Sequence, residues 1–270
     1  MAKLRALIIG VSEHTSIPAD SLPFCKNDIF AVKQAFIQGL KVDPSDIILC
    51  GSVGTVAAAE VIAALQHLSN VSGENDSILL YFSGHGTTEA DSHYLVLSDG
   101  LIKTQELIEY LDHINAKNKI LFLDCCLAGN FAIDGTAVFN INETADEFAG
   151  RGYAVFASCN AQQYSYGHPD IPISLFTNFL CQALTHNFII REGKKSLYDI
   201  HKLLFMLLET WNMNNPTKVQ TPVYRANMGG TIYFDVQDYH PYVVEKFFSE
   251  CKSYIIYVVI PFNQPSASEL

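Results

Sequence analysis

Short apolar runs without the in-and-out alternation of a half-buried strand recur along the chain: Leu4 to Ile9, Ser77 to Phe82, Lys119 to Leu123 and Tyr153 to Ala157. Strands covered on both faces read this way, and they belong to parallel sheets sandwiched between helices. Segments of helical period separate them. Apolar stripes run through Asp28 to Leu40 (Ile29, Val32, Phe36, Leu40) and Val56 to Leu68 (Val61, Ala64, Leu65, Leu68), and Thr104 to Leu111, Leu175 to Thr185 and Leu197 to Trp211 also read as helices. Asp46 to Cys50, Pro222 to Arg225 and Thr231 to Phe234 add short strands, with a hairpin around Tyr94 to Leu97. The expected fold class is α/β, a mainly parallel central sheet with helices on both faces. Asn130 to Gly152 mixes Gly135, Gly150 and Gly152 with Asp, Asn and Thr without a sustained period, so a loop is expected there. At that length such a loop is usually functional or disordered.

The chain has 270 residues, 49% hydrophobic and only 17% charged, enough for one large core. No internal repeat interrupts the alternation, so one domain is expected over residues 1–237. Residues 238–270 form a C-terminal extension of unassigned role, with an apolar run at Tyr254 to Ile260 and a tail containing Pro and Ser. The net charge of −11 and the lack of a basic stretch argue against a nucleic-acid partner, since the phosphate backbone rewards clustered Lys and Arg. An acidic surface favours basic peptides instead. Seven cysteines, with no CxxC pair, read as free thiols in a reducing compartment. The apolar run within residues 1–10 is short for a signal peptide, and Tyr254 to Phe262 is far below the roughly 20 residues of a membrane helix. These readings give a cytoplasmic protein with no membrane partner.

Two apolar runs end in reactive residues: Leu80-Tyr81-Phe82-Ser83-Gly84-His85-Gly86 and Leu121-Phe122-Leu123-Asp124-Cys125-Cys126-Leu127-Ala128-Gly129. Ligands of open α/β sheets bind outside the carboxyl ends of the strands, so side chains from two strand ends can meet there despite their separation in sequence. A thiolate is the nucleophile in acyl transfer, and an adjacent imidazole that takes its proton activates it. His85 can then protonate the leaving amine. The backbone N–H groups of Gly86 and Cys126 are candidates for holding the developing oxyanion. Side chains alternate along a strand, so only one of Cys125 and Cys126 should face the cleft, and spacing leaves both open. Each residue alone has a plainer reading, the cysteine as packing and the histidine as a turn residue. His93, His113, His186 and His201 show no metal-ligand spacing. His168-Pro169-Asp170 reads as surface loop, and Gly84-His85-Gly86 lacks the Gly-Lys-Ser/Thr ending of a phosphate loop.

Both segments closely resemble the histidine and cysteine motifs of the caspase-like peptidases, above all the metacaspases and their prokaryotic relatives, where they read S-G-H-G and D-x-C-x-x-G. Leu22-Pro23-Phe24-Cys25-Lys26-Asn27-Asp28 resembles the family's G-C-x-N-D stretch, and Ser174-Leu175-Phe176-Thr177 its later F-T helix start. The resemblance spans roughly residues 4 to 235. It implies a caspase-like fold and a His85/Cys126 dyad, with Cys125 at the variable position. It also implies an acidic pocket built from Asp124, Asp28 and Ser83 that takes Arg or Lys before the cleaved bond. The plainer reading of Asp28 is a cap for a helix beginning after it. No cofactor is expected. Calcium activates some metacaspases, but no Asp-rich ligand loop is evident and calcium stays unassigned. The loop after the nucleophile is often cut in such enzymes, which makes Arg151 a candidate autoprocessing site. The expected activity is that of a cysteine endopeptidase acting on protein or peptide substrates. The alternative is an inactive caspase-like module recruiting a regulatory protein partner. A non-proteolytic cysteine hydrolase is disfavoured because no G-x-S/C-x-G elbow is present.

Overall fold

The computed structural model of the chain describes residues 2–89, 92–127, 141–160, 163–227 and 230–236, with the backbone alone for Cys126, Leu127 and Ile141. The main elements in order are β1 (Leu4–Gly10), α1 (Cys25–Leu40), β2 (Ile47–Cys50), α2 (Ala58–Val71), β3 (Ser77–Glu89), β4 (Ser92–Val96), β5 (Leu101–Lys103), α3 (Thr104–Asp112), β6 (Asn118–Leu127), α4 (Ile141–Gly150), β7 (Ala154–Ala157), α5 (Leu175–Thr185), β8 (Lys194–Ser196), α6 (Leu197–Asn214), β9 (Val223–Ala226) and β10 (Tyr233–Asp235). The central sheet runs β2-β1-β3-β6-β7-β9. Its first five strands are parallel and β9 closes the edge antiparallel. β4 and β5 extend the far half of β3 as an antiparallel meander, and β8 pairs with β10 in a separate ribbon.

The unbroken apolar runs have a direct cause. Ala6, Ile8, Leu79, Tyr81, Ile120, Phe122, Ala154 and Phe156 pack on one face against α1, α5 and α6. The residues between them, Leu7, Ile9, Ile78, Leu80, Phe82, Leu121, Leu123, Val155 and Ala157, pack on the other face against α2, α3 and α4. Burying each large apolar side chain contributes roughly 1.5–3 kcal/mol, so both faces hold the sheet in one register. Gly10 sits where α1 starts directly against the end of β1, and a Cβ there would come within 2.4 Å of Ile29 Cγ2 and 2.5 Å of the Cys25 carbonyl oxygen. That close approach brings the first turn of α1 to the strand ends.

Five elements differ from the sequence reading. Residues 141–150, expected as loop, form α4, which buries Ala145 and Phe148 against the sheet; residues 130–140 of the expected loop lie outside the described residues. β3 and β6 run on through the reactive residues to Glu89 and Leu127. β8 was not anticipated. α1 begins at Cys25, ahead of Asp28, so Asp28 lies inside its first turn. The C-terminal extension, residues 238–270, lies outside the described residues. Among the described residues no helix is long and apolar enough to cross a membrane.

Candidate active site

β3 and β6 lie side by side in parallel, with Ser83 opposite Asp124, Gly84 opposite Cys125 and His85 opposite Cys126. The two sequence motifs are therefore in direct register. β1 accompanies β3 only as far as Ser83, and β4 takes up the same edge of β3 from Gly86 onward. His85 stands in the gap between them. Gly84 fits there because a Cβ would meet the Phe82 ring at 2.8 Å. Cys125 is buried in the core beside Leu121 and Leu123, on the face covered by α2 to α4. Gly86 lies opposite Leu127 in β6 and Leu95 in β4.

His85 is almost fully buried, and its Nε2 lies 2.8 Å from the backbone oxygen of Asp20. A carbonyl oxygen only accepts, so neutral His85 carries its proton on Nε2 and presents a lone pair at Nδ1. Nδ1 is buried and has no hydrogen-bond partner among the described residues. Burial holds the imidazole below its usual pKa, opposed by the bond to Asp20 and the Asp20 charge. At neutral pH His85 is thus an uncharged base with one free acceptor.

On the side of the sheet toward α1 and α5 lie the acidic residues. Asp28 accepts from the Ser83 hydroxyl at 2.7 Å and from the Ser174 backbone N–H at 2.8 Å. It does not cap α1: the N-cap position is Phe24, with no side-chain cap bond. Asp124 accepts from the hydroxyls of Ser165 (2.7 Å), Thr177 (2.8 Å) and Ser174. Both carboxylates are shut off from water, at 0% and 4% exposure, and neither makes an ion pair among the described residues. Burial pushes both acids above the usual carboxylate range, and the charge of Asp124 raises Asp28 further, so the pair favours holding a proton. Ser83, expected from sequence, sits with them at 1% exposure.

Several residues at this site carried no role in the sequence reading. Gln220 is fully buried and ties the segment carrying Ser165 to the end of β7: its Nε2 donates to the Ser158 carbonyl at 2.8 Å and to Ser165 Oγ at 3.3 Å, and its Oε1 accepts from the Tyr166 N–H. Ser165, Gln220 and Asp20 are joined to the site only by the folded chain, and nothing in their local sequence marks them. Ser174 and Thr177 did carry a signal, as the Ser-x-x-Thr start of a helix. In the structure Ser174 caps α5 by accepting from the Thr177 N–H at 2.9 Å.

Arg151 lies apart from these groups. It follows the last residue of α4, its N–H bonded to the Phe148 carbonyl at 3.0 Å and its guanidinium 3.8 Å from the Asp112 carboxylate. A groove lined by residues such as Arg191, Tyr198, Tyr224 and Tyr233, formed at β8 to β10, shares no residue with the site.

The parallel sheet flanked by helices on both faces, with histidine and cysteine in register on neighbouring strands, defines a caspase-like α/β protein. Residues 3–231 match the Caspase domain, and the chain belongs to that family of cysteine peptidases. Among solved structures, the chain is similar to caspase-1 from Spodoptera frugiperda (TM-score 0.62, 15% identity, 88% of this chain and 92% of that one). It is also similar to a protein from Geobacter sulfurreducens (TM-score 0.59, 18% identity, 84% of this chain and 94% of that one). At these identities the likeness is one of fold. No significant match is found among curated proteins.

Proposed function

We propose that the chain is a cysteine endopeptidase in which His85 removes the proton from Cys126 and the resulting thiolate attacks the peptide carbonyl. The observation that carries the reading is the register of His85 with Cys126 across β3 and β6, with a neutral imidazole whose Nδ1 has no partner among the described residues. The tetrahedral oxyanion accepts from the N–H groups of Gly86 and Cys126. Imidazolium returns its proton to the leaving amine, and the acyl-thioester is then hydrolysed by water with His85 again as base. These steps use only groups of the protein and water, so neither calcium nor another cofactor enters the scheme.

Asp28 and Asp124, with Ser83, select a basic residue before the cleaved bond. A guanidinium supplies the charge partner that both carboxylates lack, and its planar fork favours Arg over Lys. In the closed arrangement Ser165 fills part of that role, so a basic side chain displaces the Ser165 hydroxyl from Asp124. The same observation favours a second reading: carboxylates satisfied internally and closed to solvent suit an inactive module that binds a regulatory protein. A cytoplasmic setting fits the free thiols of Cys50 and Cys181. The deciding experiment compares fluorogenic peptides ending in Arg, Lys or Asp, with wild type beside Cys126→Ala. Cleavage after Arg and Lys by wild type alone supports the endopeptidase. No cleavage of any peptide by wild type leaves the interaction module.

A further inference from the structure

We propose that His14 is a positioning residue of this site, a second imidazole that packs on His85, fixes its ring, and must be uncharged for His85 to accept the thiol proton. The inference rests on the endopeptidase reading above for its role in turnover, and on separate contacts for its geometry.

The connection between β1 and α1, residues 11–24, crosses the carboxyl end of the sheet, and the backbone around His14 is pinned on both sides. The N–H groups of Ser12 and Glu13 donate to the Gly54 carbonyl at 2.8 and 2.9 Å, that of Thr15 donates to the Ser98 carbonyl at 2.7 Å, and the Ser98 hydroxyl donates to the Glu13 carbonyl at 2.6 Å. His14 is therefore placed by the fold. Its ring centroid lies 5.4 Å from that of His85, with the planes tilted by 35°. The same connection supplies the Asp20 carbonyl that holds His85 Nε2. One loop thus holds His85 both at a ring nitrogen and through ring contact.

Both nitrogens of His14 and Nδ1 of His85 are buried without a hydrogen-bond partner among the described residues. Three unpartnered nitrogens in two touching imidazoles are costly, and an apolar residue at position 14 would fill the space without that cost. The polar ring is explained if its charge state matters to its neighbour. Burial and the nearness of His85 both oppose protonation of His14, and only the exposed Glu13 favours it. On the His85 side the charge of Asp20 favours protonation against burial. On β6 the backbone register places Cys126 opposite His85. A proton on His14 puts a cation beside the ring that must become imidazolium in the reaction, so acidification disables the dyad through His14 as well as through His85 itself.

The test uses wild type, His14→Phe and His14→Ala over pH 5 to 9. It reads kcat and KM on an Arg peptide and, independently of any substrate, the iodoacetamide alkylation rate of Cys126 by mass spectrometry. The phenylalanine ring keeps the packing and removes the titration. His14→Phe is expected to keep kcat within about threefold at pH 8 while the acid limb becomes shallower and moves to lower pH. His14→Ala is expected to lose about tenfold in kcat at pH 8 with KM within twofold. Wild-type acid limbs in both variants, in cleavage and in alkylation, overturn the proposal, as does a loss confined to KM. If wild type cleaves no peptide yet the alkylation profile shifts in His14→Phe, the imidazole pairing stands and the endopeptidase reading falls.

Discussion

Asp28 and Asp124 are held by one residue: Ser174 donates its backbone N–H to Asp28 at 2.8 Å and its hydroxyl to Asp124. α1, β6 and the start of α5 therefore meet at two buried carboxylates with no ion pair among the described residues. Burial raises both acids, and the charge of Asp124 raises Asp28 further, so the pair favours holding a proton.

That coupling has a sign. A carboxylate whose folded pKa lies above its unfolded value of about 3.9 contributes stability present below the unfolded value and lost as pH rises through the folded one. Wild type is therefore expected to lose more melting temperature than Asp28→Asn between pH 5 and pH 8, measured by calorimetry in matched buffers. Ligand binding runs the other way: benzamidine, a guanidinium-like cation, is expected to bind wild type more tightly as pH rises through the titration of the pair, and Asp28→Asn at least tenfold more weakly at pH 8. Equal pH slopes in the two proteins would sink the shared-proton argument.

The dyad reading separates two adjacent thiols. Cys126→Ala and His85→Ala are each expected to lower kcat by about a thousandfold or more, and the double variant by little more than either, because nucleophile and base act as a unit. Cys125→Ser, by contrast, places a hydroxyl in the apolar face beside Leu121 and Leu123. It is expected to cost about 1–3 kcal/mol of stability in urea while keeping kcat within tenfold. A dead Cys125→Ser that folds, beside an active Cys126→Ala, would reverse the assignment.

Gln220 should join stability to specificity. Its removal leaves the Tyr166 N–H and the Ser158 carbonyl without their buried partner, at roughly 1–3 kcal/mol each. It also frees Ser165, one of the hydroxyls that donate to Asp124. Gln220→Ala is expected to lower the urea midpoint and to change KM for Arg peptides more than kcat. Unchanged stability together with unchanged KM would remove Gln220 from the site.

The sheet was legible because burial on both faces leaves a one-dimensional trace. Residues such as Leu79-Leu80-Tyr81-Phe82 need no partner in sequence to announce a buried strand. Its continuation through Ser83 to Glu89 was not legible, since serine, glycine, histidine and threonine at a strand end read as loop. α4 escaped notice because its buried stripe at 145, 148 and 149 is mostly alanine, with Phe148 its one large member, amid Asp, Asn, Thr and Glu. β8 is Lys194-Lys195-Ser196, and charge hid it. Lys195 is nonetheless fully buried, donates to the Leu184 carbonyl at the end of α5, and is brought by burial to a pKa of about 7. Of the site, the motif residues were visible, whereas His14, Ser165 and Gln220 reach it only through tertiary contacts.

Cleavage after Arg151, expected from a glycine-bearing loop, meets a different local structure. Arg151 closes α4: its N–H and those of Gly152 and Tyr153 bond back to the carbonyls of Phe148, Ala149 and Phe148, and Gly152 turns the chain at φ +83°. A peptidase needs several residues in extended form, so cutting here first requires the last turn of α4 to come apart. Phe148, 1% exposed and 6.1 Å from the Tyr153 ring, is the side chain that holds that turn to the sheet. Phe148→Ala is expected to cost about 3–5 kcal/mol in a site that cannot collapse, and to promote local opening. Intact-mass spectrometry after incubation is then expected to find wild type largely uncut, Phe148→Ala cut after Arg151, and Phe148→Ala combined with Cys126→Ala uncut. Rapid cleavage at Arg151 in wild type would mean that the turn opens on its own. An active, full-length Phe148→Ala would remove Arg151 as a processing site.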